Sequence, residues 1–257
     1  DWRDRKRLEE ILKKQAALEK KIDGLKETSK LNFEQHNNNS QPSKEILKKQ
    51  AALEKLFNEI MPDEIKELYQ ELNKLKDQLS KEDLQQKLKK LQLSNEDLEK
   101  ELDRNLEILK QVELDQKIEN IIAKINLLEK EQNKLSQNQN DAPSKLESQK
   151  KHIEDFKKIQ EDIKEMQQLN KSLENKKKIG TTKTLEETIK NELEKGQQNL
   201  EKKQNKKASK SQKETGKKLQ ELANFFEKTK SDNSESQHYE NMDVLRQILE
   251  NLVYFSL

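Results

Sequence analysis

The chain has no cysteine among its 257 residues. That excludes a disulfide framework and any thiolate metal site, and it fits a bacterial envelope protein. Four glycines and three prolines are too few for the turns of a many-stranded sheet protein. Hydrophobic residues make up 30% and aromatics 4%, whereas an ordinary globular domain is ~45–50% apolar, so a compact globular core is not expected. No apolar run approaches the ~18 residues that a bilayer-spanning helix requires. A one-sided charge is missing too. Lys and Arg number 52 against 50 Asp and Glu, a net +2, which is not the balance of a typical nucleic-acid binder.

What the chain does have is charge, 40% of it, interspersed in sign as on solvated helix faces with i,i+4 pairs. Such a composition also suits disorder, and periodicity decides between the two. Leu8, Ile11, Gln15, Leu18, Ile22 and Leu25 step by three and four residues, which is heptad spacing. QHNNNSQPS, residues 35–43, reads as a loop. Ser43 is a candidate N-cap for Ile46, Gln50, Leu53, Phe57 and Ile60, which repeat the earlier phase. The stretch EILKKQAALEK occurs identically at residues 10–20 and 45–55, five heptads apart. Each copy places a glutamine, Gln15 or Gln50, where a coiled coil would hold an apolar knob.

Pro62 interrupts the helix after residue 61, because it lacks a donor and drives the preceding residue out of the α region. Short helices are expected at residues 63–79 and 81–93, separated by the imperfect capping boxes that begin at Ser80 and Ser94. A long helix then runs to about residue 137, with Ile118, Ile125, Leu128, Gln132 and Leu135 in its best heptad stretch. Gln132 is the third glutamine in a seam. After SQNQNDAPS, Ser144 and Glu147 form a capping box for a helix ending near Gly180, and Thr184 with Glu187 begins another. Residues 201–218 hold eight lysines, two glutamates and Ala208 as the lone apolar side chain. That stretch reads as a solvated helix or a flexible connector. Met242, Leu245, Leu249 and Leu252 lie at heptad spacing in a last amphipathic run whose wide face suits a partner surface.

The expected fold is all-α: extended, coiled-coil-like helical hairpins. Its divisions are a hairpin at 1–61, short helices then a long one at 63–137, a helix at 144–178, a Lys-rich helix or linker at 184–230, and an amphipathic helix at 239–257 that stops within its own pattern. No initiator Met precedes DWRDRKRLEE, and both ends read as those of a fragment.

Chemistry is sparse. His36, His152 and His238 are far apart, none has a second ligand three or four residues on, and all three read as solvated. There is no glycine-rich phosphate loop and no catalytic signature; no catalytic residue, metal site or cofactor is expected. Asn38-Asn39-Ser40 and Asn170-Lys171-Ser172 match the glycosylation pattern, as chance allows in an Asn-rich chain. Trp2 beside Arg3 and Arg5 has the character of a membrane interface.

LSNEDLEKELDRNLEILKQVELDQKIE (93–119), KKASKSQKETGKKL (206–219) and NMDVLRQILENLVYFSL (241–257), in that order, resemble a family of large bacterial proteins, the domain-of-unknown-function family numbered four-one-seven-five, found in Bacteroidetes. The start, DWRDRKRLEEILKKQ, is similar to that family where its chain leaves the membrane. The resemblance implies an internal helical piece of a longer protein anchored by upstream membrane segments, on the periplasmic side of the inner membrane. That family carries no established activity, so no site residue comes with it.

The expected function is a non-catalytic scaffold or spacer with protein partners, a second copy of the chain among them. Membrane attachment would run through segments outside this chain, and nucleic acid is not an expected partner. The alternatives are a chaperone-like clamp and a binder of polyanions (nucleic acid or lipid) through residues 202–218. Gln15, Gln50, Gln132, Met242, Leu245, Leu249 and Leu252 are the candidate interaction residues. The two copies of EILKKQAALEK are expected to offer one seam to a third helix, either residues 63–93 or another chain.

Overall fold

The computed structural model describes residues 2–39, 43–59, 67, 70, 81–137 and 142–255. Among them every regular element is an α-helix: α1 (Trp2–Asn39), α2 (Lys44–Glu59), α3 (Lys81–Gln137), α4 (Ala142–Ser172), α5 (Lys183–Glu201) and α6 (Asn205–Phe255). The protein is all-α, as its heptad spacing requires. The chain divides into two units, residues 1–113 and 114–257, and α3 contributes to each.

In the first unit α1 buries Ile11, Gln15, Leu18, Ile22 and Ser29, and α2 buries Ile46, Gln50 and Leu53. Ser43 caps α2, its Oγ accepting from the Ile46 amide at 3.3 Å. Leu18 and Ile22 pack on Leu102, with Leu25 alongside. Leu53 packs on Leu109 and Val112, with Leu25, Phe33 and Ile108 around them. Lys14 reaches Glu99 at 3.0 Å and Lys21 reaches Asp103 at 3.5 Å, so α1 and this stretch of α3 run in the same direction. Both copies of the repeat therefore face α3 between residues 99 and 112; of the expected 63–93, residues 63–66, 68, 69 and 71–80 lie outside the described residues.

The second unit is an up-down-up-down arrangement of four helices. Lys117 pairs with Glu165 and Lys124 with Asp162, which sets α3 antiparallel to α4. Gln160 donates to Glu186, setting α4 against α5. Lys230 pairs with Glu119, which closes α6 back onto α3. The buried positions keep one rhythm: Ile118, Ile121, Ile125 and Leu128 on α3; Phe156, Ile159, Ile163 and Met166 on α4; Ile189 and Leu193 on α5; Leu219, Leu222 and Phe226 on α6. Steps of three and four keep a left-handed seam facing its neighbours. Four helices share one apolar core.

Several boundaries differ from the sequence reading. α1 continues to Asn39 through the polar residues 35–39, since Asn and Gln disfavour helix by only fractions of a kcal/mol each. α3 passes through Ser94 without a break, so that capping box does not operate. α4 begins at Ala142 and ends at Ser172, well before Gly180. The intervening segment is held by Asn170, which accepts from the Lys177 amide at 2.8 Å and donates to the Lys177 carbonyl at 2.9 Å. Lys177 in turn pairs with Asp115. Gly180 serves close packing rather than helix termination, because a Cβ there would sit 3.1 Å from Phe225 Cζ. α5 starts at Lys183, with Thr182 Oγ1 donating to Glu186 instead of the Thr184–Glu187 box. α6 runs through residues 231–237 without interruption. Residues 63–66, 68, 69 and 71–79 lie outside the described residues, as do the side chains of Met242, Leu245, Leu249 and Leu252.

The largest correction concerns residues 201–218. α5 ends in a Schellman turn: the Lys203 amide bonds the Leu200 carbonyl at 2.9 Å and the Gln204 amide bonds that of Asn199 at 2.8 Å. Lys203 sits at φ 56°. α6 then buries Ala208, Ser211, Gln212, Thr215 and Gly216. Residues 208, 212, 215, 219, 222 and 226 continue a single heptad stripe, so small side chains allow close approach where large apolar ones are missing. Asn133 Oδ1 would lie 2.5 Å from a Cβ at Gly216.

Two outcomes check this packing. Phe156→Ala should cost about 3–5 kcal/mol, read as a lower urea midpoint. Backbone amides of residues 208–222 should exchange as slowly as those of residues 114–128; coil-like exchange would return this stretch to a linker.

Candidate functional site

One level of the four-helix core is polar. The heptad rhythm of α3 after Ile125 and Leu128 brings in Gln132, and that of α4 before Phe156 brings in His152 and Gln149. On α5 the step from Leu193 meets Gly196, and on α6 the step from Thr215 meets Gln212. Gln132 and Gln149 are 0% exposed and His152 is 5% exposed. Burial of amides and an imidazole is costly unless each finds a partner, and these largely find one another. Gln132 Nε2 lies 2.8 Å from His152 Nδ1 and 3.5 Å from Gln149 Oε1. Gln212 Nε2 donates to Gln149 Oε1 at 3.1 Å. Gln149 Nε2 donates to the Leu193 carbonyl at 3.0 Å.

Gly196 makes that last bond possible. A Cβ there would sit 3.1 Å from Gln149 Nε2 and 3.3 Å from its Cδ. The glycine thus opens α5 for the amide to cross toward the Leu193 carbonyl. Gln132 Oε1 is fully buried in this layer and has no partner among the described residues.

The imidazole has a defined state in this setting. Gln132 donates to Nδ1, which leaves the proton on Nε2, 3.4 Å from Glu131 Oε2. Burial holds the His152 pKa below its ordinary value of 6.5, against the opposing pull of Glu131 and Asp155 and with Lys151 acting in the same direction as burial. A protonated ring would face the Gln132 amide donor with a second donor. The layer therefore favours a neutral histidine.

Of the residues read from sequence as interaction candidates, Gln132 belongs to this layer. Gln15 and Gln50 are buried in the first unit. Gln15 Nε2 bonds Glu19 Oε1 at 3.1 Å, while Gln50 Nε2 has no partner among the described residues. The sequence reading took His152 as solvated, and that is corrected: it occupies a seam position, which counting back four residues from Phe156 would have revealed. Gln149 and Gln212 were passed over for the same reason, since a search for apolar knobs skips polar ones at heptad spacing.

The layer's one titratable side chain is the His152 ring, and its other members are carboxamides. Among the described residues no group of three or more His, Asp or Glu side chains is placed to hold a metal ion. Compared with known proteins, the chain matches no family model, no curated protein and no solved structure.

Substitutions should separate the two kinds of buried glutamine. Gln132→Leu should lower stability by about 1–3 kcal/mol, because it leaves His152 Nδ1 and its neighbours short of a donor. Gln50→Leu should raise the melting temperature, since it removes an unpartnered amide. The histidine gives a pH signature. Its folded pKa lies below the unfolded one, so the unfolded state takes up the proton first. Stability should be full above about pH 6.5 and fall as pH drops below it, and His152→Leu should remove that part of the slope in urea titrations.

Proposed function

We propose that the chain is a non-catalytic structural and interaction module: a helical scaffold or spacer within a membrane-anchored bacterial envelope protein, on the periplasmic side of the inner membrane. The observation that carries the scaffold reading is the common register of the second unit. Four helices keep the same three-and-four spacing, and Gln132, Gln149, His152 and Gln212 from three of them meet at one level beside Gly196 of the fourth. A module whose task is to hold a fixed length and orientation gains from such a layer, because slipped registers strand buried amides.

The envelope placement draws on the resemblance carried by residues 93–119, 206–219 and 241–257. It draws also on Trp2 among basic residues at the start. No described helix is long and apolar enough to cross a membrane, and attachment through other segments is part of the proposal. Protein partners are expected at the amphipathic positions Met242, Leu245, Leu249 and Leu252.

Circular dichroism with size-exclusion chromatography and light scattering tests the scaffold directly. The expected result is a strongly helical chain in a discrete mono- or oligomeric state. A low-helicity, expanded monomer would overturn it.

A further inference from the structure

The lysines of α6 and of the turn before it form a strip that the core does not use. Lys206, Lys210, Lys213 and Lys217 repeat at steps of four, three and four residues. They are offset by two from the buried Ala208, Gln212, Thr215 and Leu219, which at 3.6 residues per turn places them on the opposite side of the helix. Lys203 and Lys207 flank the strip, and Lys202 extends it into the turn. Residues 202, 203, 206, 207, 210 and 213 are all exposed. Lys217 shares Glu214 at 3.6 Å. The other six have no carboxylate partner among the described residues. From residue 203 to 217 the strip is about 21 Å long at ~1.5 Å per residue.

A second observation supports a role for this charge. Lys203 holds the left-handed position of the Schellman turn at φ 56°, where glycine is the unstrained choice and a side chain costs about 1 kcal/mol or more. Strain kept at an exposed lysine points to a use for its ammonium.

We infer that this strip is a docking surface for anionic lipid headgroups. The chemistry selects among polyanions. Every cation in residues 202–218 is lysine and none is arginine. Lysine is a flexible point charge, whereas fixed phosphates of defined geometry are best met by the guanidinium fork. No aromatic residue lies in the stretch, so it offers no platform for stacked bases. A fluid headgroup layer needs neither a fork nor a platform, because its phosphates move to meet each ammonium along a flat, exposed helix face. The inference does not depend on the scaffold reading. A spacer without lipid contact and a lipid-binding chain without a scaffold role give different outcomes.

The test uses the full chain with vesicles of phosphatidylcholine alone and of phosphatidylcholine mixed with phosphatidylglycerol, by co-sedimentation at low and physiological salt. Binding should require the anionic lipid and weaken as salt rises. Each lysine near such a surface contributes roughly fivefold to partition. The quadruple variant Lys206→Gln, Lys207→Gln, Lys210→Gln and Lys213→Gln should therefore bind several hundredfold more weakly with unchanged helicity. A control variant with Lys157, Lys158, Lys164 and Lys171 changed to Gln should bind as the parent does. Equal binding to both vesicle types, no binding to either, or equal loss in the control would overturn the inference. Tighter binding to a random-sequence DNA duplex at the same ionic strength would reassign the strip to nucleic-acid phosphates and equally overturn it.

Discussion

A carboxamide buried in a helix seam is costly without a partner, and in the second unit Gln132, Gln149 and Gln212 find theirs at one level of the core. Gln132, Gln149, His152 and Gln212 come from three helices, and the fourth supplies a carbonyl and a glycine. Sliding any one helix by a heptad would keep its apolar positions against apolar neighbours, since the spacing repeats. It would break at least one of the layer's hydrogen bonds and strand a buried amide group, at a cost of roughly 1–3 kcal/mol. The polar layer thus supplies what a short apolar repeat lacks, a penalty for slippage. The core below it, from Leu128 and Phe156 to Leu219 and Phe226, gains most of the stability. The layer decides which of several similar cores forms.

The low apolar content shapes everything around that layer. With 30% hydrophobic residues the chain cannot line every seam with leucine. It makes up the shortfall on α6 with Ala208, Ser211, Thr215 and Gly216, which bring backbones together instead of filling space. The side turned away from them is left to lysine. The same composition that looks like a linker is therefore two faces of one helix, one small and packed, the other cationic and solvated.

The fold class was legible because heptad spacing depends on few residues and is tolerant of what fills the remaining ones. Ile118, Ile125, Leu128 and Leu135 placed the α3 seam, and the Ser144–Glu147 capping box marked the start of α4 to within two residues. Boundaries were less legible. Capping signals at Ser94 and Thr184 are worth about 1 kcal/mol, and continuous packing on either side overrides them. The site was half legible. Gln132 stood out because apolar residues bracket it on both sides, and Gln15 and Gln50 because their sequence is duplicated. Gln149, His152 and Gln212 each sit at the start of an apolar run, where a polar residue looks like the end of a pattern. Only the antiparallel arrangement brings those three pattern edges to one level.

The central claim is that Gln132 and His152 act as a unit within the seam, and a double-mutant cycle measures this most directly. Urea unfolding of Gln132→Leu, His152→Leu and the double variant gives the interaction energy. The account predicts coupling of about 1 kcal/mol or more, with the double variant less destabilised than the sum of the two single changes. Additivity within about 0.3–0.5 kcal/mol would show that the two side chains do not share a buried layer and would contradict it.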